Sequence, residues 1–181
     1  MTSNIKHLLI STESYIYSNP YWLRIYSDMH TVEDLERIRD VLLLYKPEYF
    51  LCEFLLDDRV MNKKEAKIRI DKAGRGEKCD PYFNISYYRM AVDVDIPFIG
   101  IDLDVRYVMK DKEKLKESFR IREARMVEVI NEFRVKGNVV VFVGDTHLRT
   151  IATNELGPIS PIQKEFSKIA TIIRNENGEI K

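Results

Sequence analysis

Four short runs in this chain are dominated by apolar residues: HLLIST at His7–Thr12, YFLCEFLL at Tyr49–Leu56, PFIGI at Pro97–Ile101 and NVVVFV at Asn138–Val143. A strand with one face in water alternates apolar and polar side chains, whereas a strand covered on both faces has no need to alternate. Between the runs the apolar period changes to that of a helix. Thr31 can cap a helix, with Asp34 in a capping-box position and Leu35, Ile38, Leu42 and Tyr45 on one face; Lys46-Pro47 stops it. Further helices are expected at Asn62–Lys72, Asn84–Val92 and Asp111–Phe133. The aromatic and polar stretch Tyr15–His30, with a turn at Asn19-Pro20, reads as loop. The tail KIATIIRNENGEIK reads as a strand, a turn at Asn177-Gly178 and a short return. This alternation predicts an α/β domain: a mainly parallel central sheet of about four to six strands, with helices on both faces.

A length of 181 residues suits one domain spanning 1–181. Segment 57–83 is charged and contains Gly74 and Gly76, so it is expected to be a lid or insertion within that domain. Lys and Arg number 29, as do Asp and Glu, and this balance argues against general nucleic-acid or acidic-membrane binding. Cys52 and Cys79 are too few for a disulfide framework and do not form a CxxC pair. The N-terminal apolar stretch is too short for a signal peptide, and no run reaches membrane-spanning length. A cytoplasmic, reducing location is the expectation.

Parallel sheets bind ligands beyond the carboxyl ends of their strands, and here those ends carry acids and an imidazole. The first run is followed by Glu13, the second contains Glu53, the third leads into Asp102 and Asp104, and the fourth into Gly144-Asp145-Thr146-His147. Glu53 interrupts an apolar run, where a carboxylate is costly unless paired or bound to metal. Arg122 falls within the stripe of Leu115, Phe119, Met126, Ile130 and Phe133 on the longest helix, with Glu123 and Arg125 to either side. A guanidinium there needs an anionic partner, which Glu53 or a loop aspartate could supply, Glu53 being the first candidate. His147 follows a strand directly, in the company of Asp145. His7 precedes a strand and is discounted, and His30 is assigned to a loop.

KPEYFLCEF, IPFIGIDLD, IREARMVEVI and VVVFVGDTH, taken in order, resemble motifs of the TraB/TIKI, erythromycin esterase-like and ChaN-like superfamily. The resemblance implies the α/β fold of the erythromycin esterase and ChaN-like proteins, a hydrolase activity, and an active-site set of Glu53, Arg122 and His147, with Asp102 as a fourth member. The superfamily's first motif, a GxxH or GExxH, is not matched: LLISTESY has Ser11 for glycine and no histidine, and offers Glu13 instead.

Two functions follow. In the first, His147 and Glu53 activate water for hydrolysis of a small-molecule or peptide substrate, Arg122 steadies an anionic group, and Asp102, Asp104 and Asp145 line the binding site. A divalent metal, Mn²⁺ or Zn²⁺, would be held by Glu13 and His147. In the second, the pocket only binds a small anionic or nucleotide-like ligand. A third role is association with a partner or a second copy through the Tyr-rich segment 15–26.

Overall fold

The computed structural model describes residues 21–28, 32–74, 83–103, 111–154, 156–173, 175–176 and 179–180. In chain order the elements are β1 (Leu23–Asp28), α1 (Val32–Tyr45), β2 (Tyr49–Cys52), β3 (Arg59–Val60), α2 (Lys63–Gly74), α3 (Phe83–Val94), β4 (Phe98–Gly100), α4 (Lys112–Arg134), β5 (Val139–Gly144), α5 (Pro161–Phe166), β6 (Thr171–Ile173), β7 (Asn175–Glu176) and β8 (Glu179–Ile180). Six strands form one sheet in the order β3-β4-β2-β5-β1-β6. All its pairings are parallel except β3 with β4. The chain is thus an α/β protein with a mostly parallel six-stranded sheet.

The apolar runs are explained by two cores, one on each face of the sheet. Val140 and Phe142 of β5 join Phe50, Cys52, Phe98 and Tyr26 against α1, α2 and α3. Val139, Val141 and Val143 join Leu23, Ile25, Leu51 and Ile99 against α4 and α5. All six residues of β5 are buried, as befits a central strand with no wet face.

Helix ends follow local chemistry. The Asp111 carboxylate accepts the amides of Glu113 and Lys114 and caps α4. Ser160 caps α5, which begins at Pro161, where a missing N–H costs nothing. At the end of α1, Lys46 (φ 45°) donates its amide to the Leu42 carbonyl before Pro47 closes the helix.

Three expectations need adjustment. Residues 23–28, read as loop, are a strand lying between β5 and β6. Leu23 and Ile25 enter one core and Tyr26 the other. The Arg24 guanidinium is accommodated by stacking over the Tyr45 ring at 4.0 Å. The aromatic content that looked like loop is therefore strand-forming. It follows that Leu23, Ile25 and Tyr26 belong to the cores and not to a partner-facing surface. Residues 57–74 form β3 at the sheet edge and α2, with Val60 and Ala66 fully buried, so this part of the expected lid is built into the fold. The run Tyr49–Leu56 stays a strand only to Cys52; Glu53–Leu55 turn away in a single 3-10 turn. The expected strand His7–Thr12 and turn Asn177-Gly178 lie outside the described residues. Among the described residues no helix is long and apolar enough to cross a membrane.

Candidate functional site

Strands β4, β2 and β5 are parallel neighbours, so Asp102, Glu53 and His147, each just past a strand's last residues, arrive at one edge of the sheet. All three are buried, with 3%, 6% and 2% of their surface exposed. Buried groups of this kind need partners, and the partners define the site.

Glu53 is placed by a tightly packed turn. Leu56 adopts φ 51°, a strained conformation for a branched side chain, and donates its amide to the Glu53 carbonyl at 3.1 Å. Gly100 of β4 lies against this turn so closely that an added Cβ would sit 1.8 Å from the Leu56 carbonyl oxygen. The Gly100 amide donates to the Asp58 carbonyl at 2.7 Å. On the other side, Glu53 Oε2 accepts the Gly144 amide at 2.8 Å, which ties the end of β2 to the end of β5.

His147 sits in the 3-10 turn Asp145–Leu148 that follows β5. Its Nε2 is 3.5 Å from Glu53 Oε2, and its Nδ1 is 3.2 Å from Glu123 Oε1. Glu123, on α4, is fully buried and takes both Nη1 and Nη2 of Arg149, at 2.5 and 3.0 Å. Carboxylate, imidazole, carboxylate and guanidinium therefore form one continuous line. The Phe119 ring packs 5.1 Å from the imidazole, with the Arg122 and Arg149 guanidiniums 5.7 and 5.4 Å from its centre. Ser160 closes the group by donating its hydroxyl to the His147 carbonyl.

Arg122 pairs with Asp102, not with Glu53 as first expected. Its Nε lies 2.8 and 2.9 Å from the two carboxylate oxygens, and its Nη2 also bonds Oδ2. Burial works to lower the Arg122 pKa, but the Asp102 hydrogen bonds and the charges of Asp102, Glu53 and Glu123 outweigh it and push it up. The Arg122 side chain retains 23% exposure, so the guanidinium stands at the wet margin while Asp102 stays inside.

Of the other expected positions, Asp145 opens the turn that carries His147 and is partly buried. Glu13 and Asp104 lie outside the described residues. Because β1 is Leu23–Asp28, it is Ser27 and Asp28 that the first strand brings to this edge, with Asp28 in register with Gly144. Ser11 and Glu13 precede that strand, and His30 lies just past it, outside the described residues.

Glu123 and Arg149 were missed from sequence. Glu123 had a signal: Phe119, Glu123, Met126, Ile130 and Phe133 are alternately four and three residues apart, a core seam on which Glu123 is the one charge. Arg149 had none, since a loop arginine after a strand looks like any surface residue.

Among the described residues no group of three or more His, Cys, Asp or Glu is arranged to hold a metal. The reason is visible in the pairings. Glu123 is committed to Arg149 and Asp102 to Arg122, which leaves Glu53 and His147 Nε2 as the facing donors.

No protein-family profile matches the chain, and no curated protein matches it. Solved structures do resemble it. One is RRSP, a MARTX toxin effector domain from Vibrio vulnificus CMCP6, with 12% identity over 92% of this chain and a TM-score of 0.56. Two others are described as bacterial protein toxins. Their identities are 10% and 12%, their coverage 99% and 90% of this chain, and their TM-scores 0.60 and 0.50. The chain spans 35–38% of the length of these three structures. The resemblance to the TraB/TIKI, erythromycin esterase-like and ChaN-like superfamily is corrected by this finding: the similar folds are those of toxin proteins, and no family profile supports the superfamily. The four motifs record acids and a histidine at the ends of parallel strands, an arrangement the α/β architecture itself favours. What the comparisons establish is the fold, shared with these toxin domains.

Proposed function

We propose that the chain is a hydrolase domain in which His147 activates water. One observation carries this reading: the His147 ring is held between two carboxylates, with Nδ1 on Glu123 and Nε2 directed at Glu53. A carboxylate behind Nδ1 orients an imidazole and keeps Nε2 available for proton transfer. A water hydrogen-bonded to both Nε2 and Glu53 would attack an ester, amide or phosphodiester. Its proton would pass to Nε2 and from there to the leaving group. Phe119 shields one side of the ring, and Arg122, steadied by Asp102 at the wet margin, supplies positive charge for the developing anion.

No step here depends on a metal. The fold shared with a toxin effector domain gives the reading a setting, a hydrolytic effector, without naming its substrate. A pocket that only binds has less support, because a binder has less need of an imidazole held between two buried carboxylates.

The test is a panel of ester, peptide and phosphodiester substrates. Wild type is expected to hydrolyse at least one class, and His147→Ala and Glu53→Gln each to lower the rate about a hundredfold or more while remaining folded. Equal rates in wild type and both variants would refute the assignment.

A further inference from the structure

Arg149 makes more bonds than pairing with one carboxylate requires. Besides Glu123, its Nη1 donates to the Thr146 carbonyl at 2.8 Å and its Nε to the Pro158 carbonyl at 3.0 Å. The three acceptors come from three different parts of the chain: helix α4, the turn that carries His147, and the return of the loop that follows it. That loop leaves at Arg149 and returns at Ser160, whose amide donates back to the Arg149 carbonyl at 3.1 Å. Within it, Thr153 and Gly157 exchange backbone hydrogen bonds of 2.8 and 3.0 Å, and Gly157 has φ 86°. Ile151, before this bridge, is 69% exposed. The Arg149 side chain is 8% exposed, so these bonds are made largely away from competing water.

The carboxylate that faces His147 Nδ1 is therefore not free to rotate. Both oxygens of Glu123 are fixed by a planar fork, and the fork is fixed in turn by two carbonyls. An aliphatic ammonium could carry the same charge but could not match this set of directions. We propose that Arg149 is the positioning residue of the site: by fixing Glu123 it keeps the proton of the neutral His147 ring on Nδ1, and through Pro158 it couples that choice to the position of the 150–158 loop. This deepens the hydrolase reading and rests on it for its catalytic consequence. The tautomer itself is a property of the ring and is read without substrate. The loop, with Ile151 exposed on it, is then the place where contact with a substrate would be felt at the imidazole.

The test is the ring-nitrogen NMR spectrum of His147, taken at a pH where the ring is neutral, in wild type, Arg149→Lys, Glu123→Gln and Gly157→Val. Arg149→Lys keeps the charge beside Glu123, so the variant is expected to fold. Wild type should show a single tautomer, protonated at Nδ1. Arg149→Lys and Glu123→Gln should each show a mixture of tautomers, and where hydrolysis is measurable a loss on the order of a hundredfold. A Cβ at Gly157 meets no atom within 4 Å, but Gly157→Val forces a β-branched residue into positive φ. It should shift the His147 signals in the same direction by a smaller amount. An Arg149→Lys spectrum identical to wild type would overturn the positioning role even if stability fell. An unmoved ring in Gly157→Val would overturn the coupling to the loop. A wild type with the single tautomer and no hydrolytic activity would remove the hydrolase reading and leave the positioning role standing.

Discussion

The Arg122–Asp102 pair gives the sharpest energetic expectation, because its members differ in burial. The Asp102 side chain is 4% exposed and that of Arg122 23%. Removing the arginine leaves a carboxylate inside, deprived of its three guanidinium contacts and keeping the Leu103 amide at 2.8 Å. A buried charge left alone costs roughly 3–5 kcal/mol. Partial access at the Arg122 side and the surviving amide bond place Arg122→Met near the lower end, about 3 kcal/mol. Removing the acid leaves a guanidinium already at the wet margin, which can lean further out, so Asp102→Leu should cost about 1–2 kcal/mol. The double variant leaves no lone charge, and its cost should fall below the sum of the singles by about 1–2 kcal/mol. Urea denaturation of the four proteins measures all three numbers. An Arg122→Met cost under about 0.5 kcal/mol, or strict additivity, would mean that the pair is solvated and that the burial argument fails.

Gly100→Ala should be among the more costly glycine substitutions in the chain, since its Cβ would stand 1.8 Å from the Leu56 carbonyl oxygen, which belongs to backbone and cannot rotate aside. A loss of about 1–3 kcal/mol or more in thermal or urea melts is expected, with a matching fall in any activity because the same turn carries Glu53; an unchanged midpoint would contradict the packing. Asp58 tests pH dependence. Burial works to raise its pKa, but hydrogen bonds from Arg69 and Tyr88 outweigh that and lower it. A lowered folded-state value contributes stability above the ordinary carboxylate range, and that stability is lost as pH falls through the folded value. Asp58→Asn should therefore lower stability at neutral pH by about 1 kcal/mol and flatten the acid limb of the stability curve; an acid limb as steep as wild type would count against it.

Much of the fold could be read from the chain because its signals are strong. NVVVFV has no polar residue after Asn138, the pattern of a strand covered on both faces. Helices α1 and α4 carry their period and a boundary in the sequence, the start of α4 at Asp111 and the stop of α1 at Lys46-Pro47. The strand β1 was hidden because Trp22, Arg24 and Tyr26 mix aromatic and charged character. Its two-sided burial depends on Arg24 stacking over Tyr45, a contact made only in three dimensions. Glu53, Asp102 and His147 were visible as polar residues following apolar runs. Their pairings were not, because which acid meets Arg122 is decided by strand order. With β2 between β4 and β5, Glu53 turns toward Gly144 and His147, and Asp102 is left to Arg122.

The central claim is that Glu53 and His147 act together on one water. Hydrolysis rates of wild type, Glu53→Gln, His147→Ala and the double variant, on whichever substrate class the wild type accepts, test it most directly. Groups that serve one step are strongly non-additive, so the double variant should be no slower than the worse single variant, within about twofold. Losses that multiply across the two sites, or single variants as fast as wild type, would contradict the account.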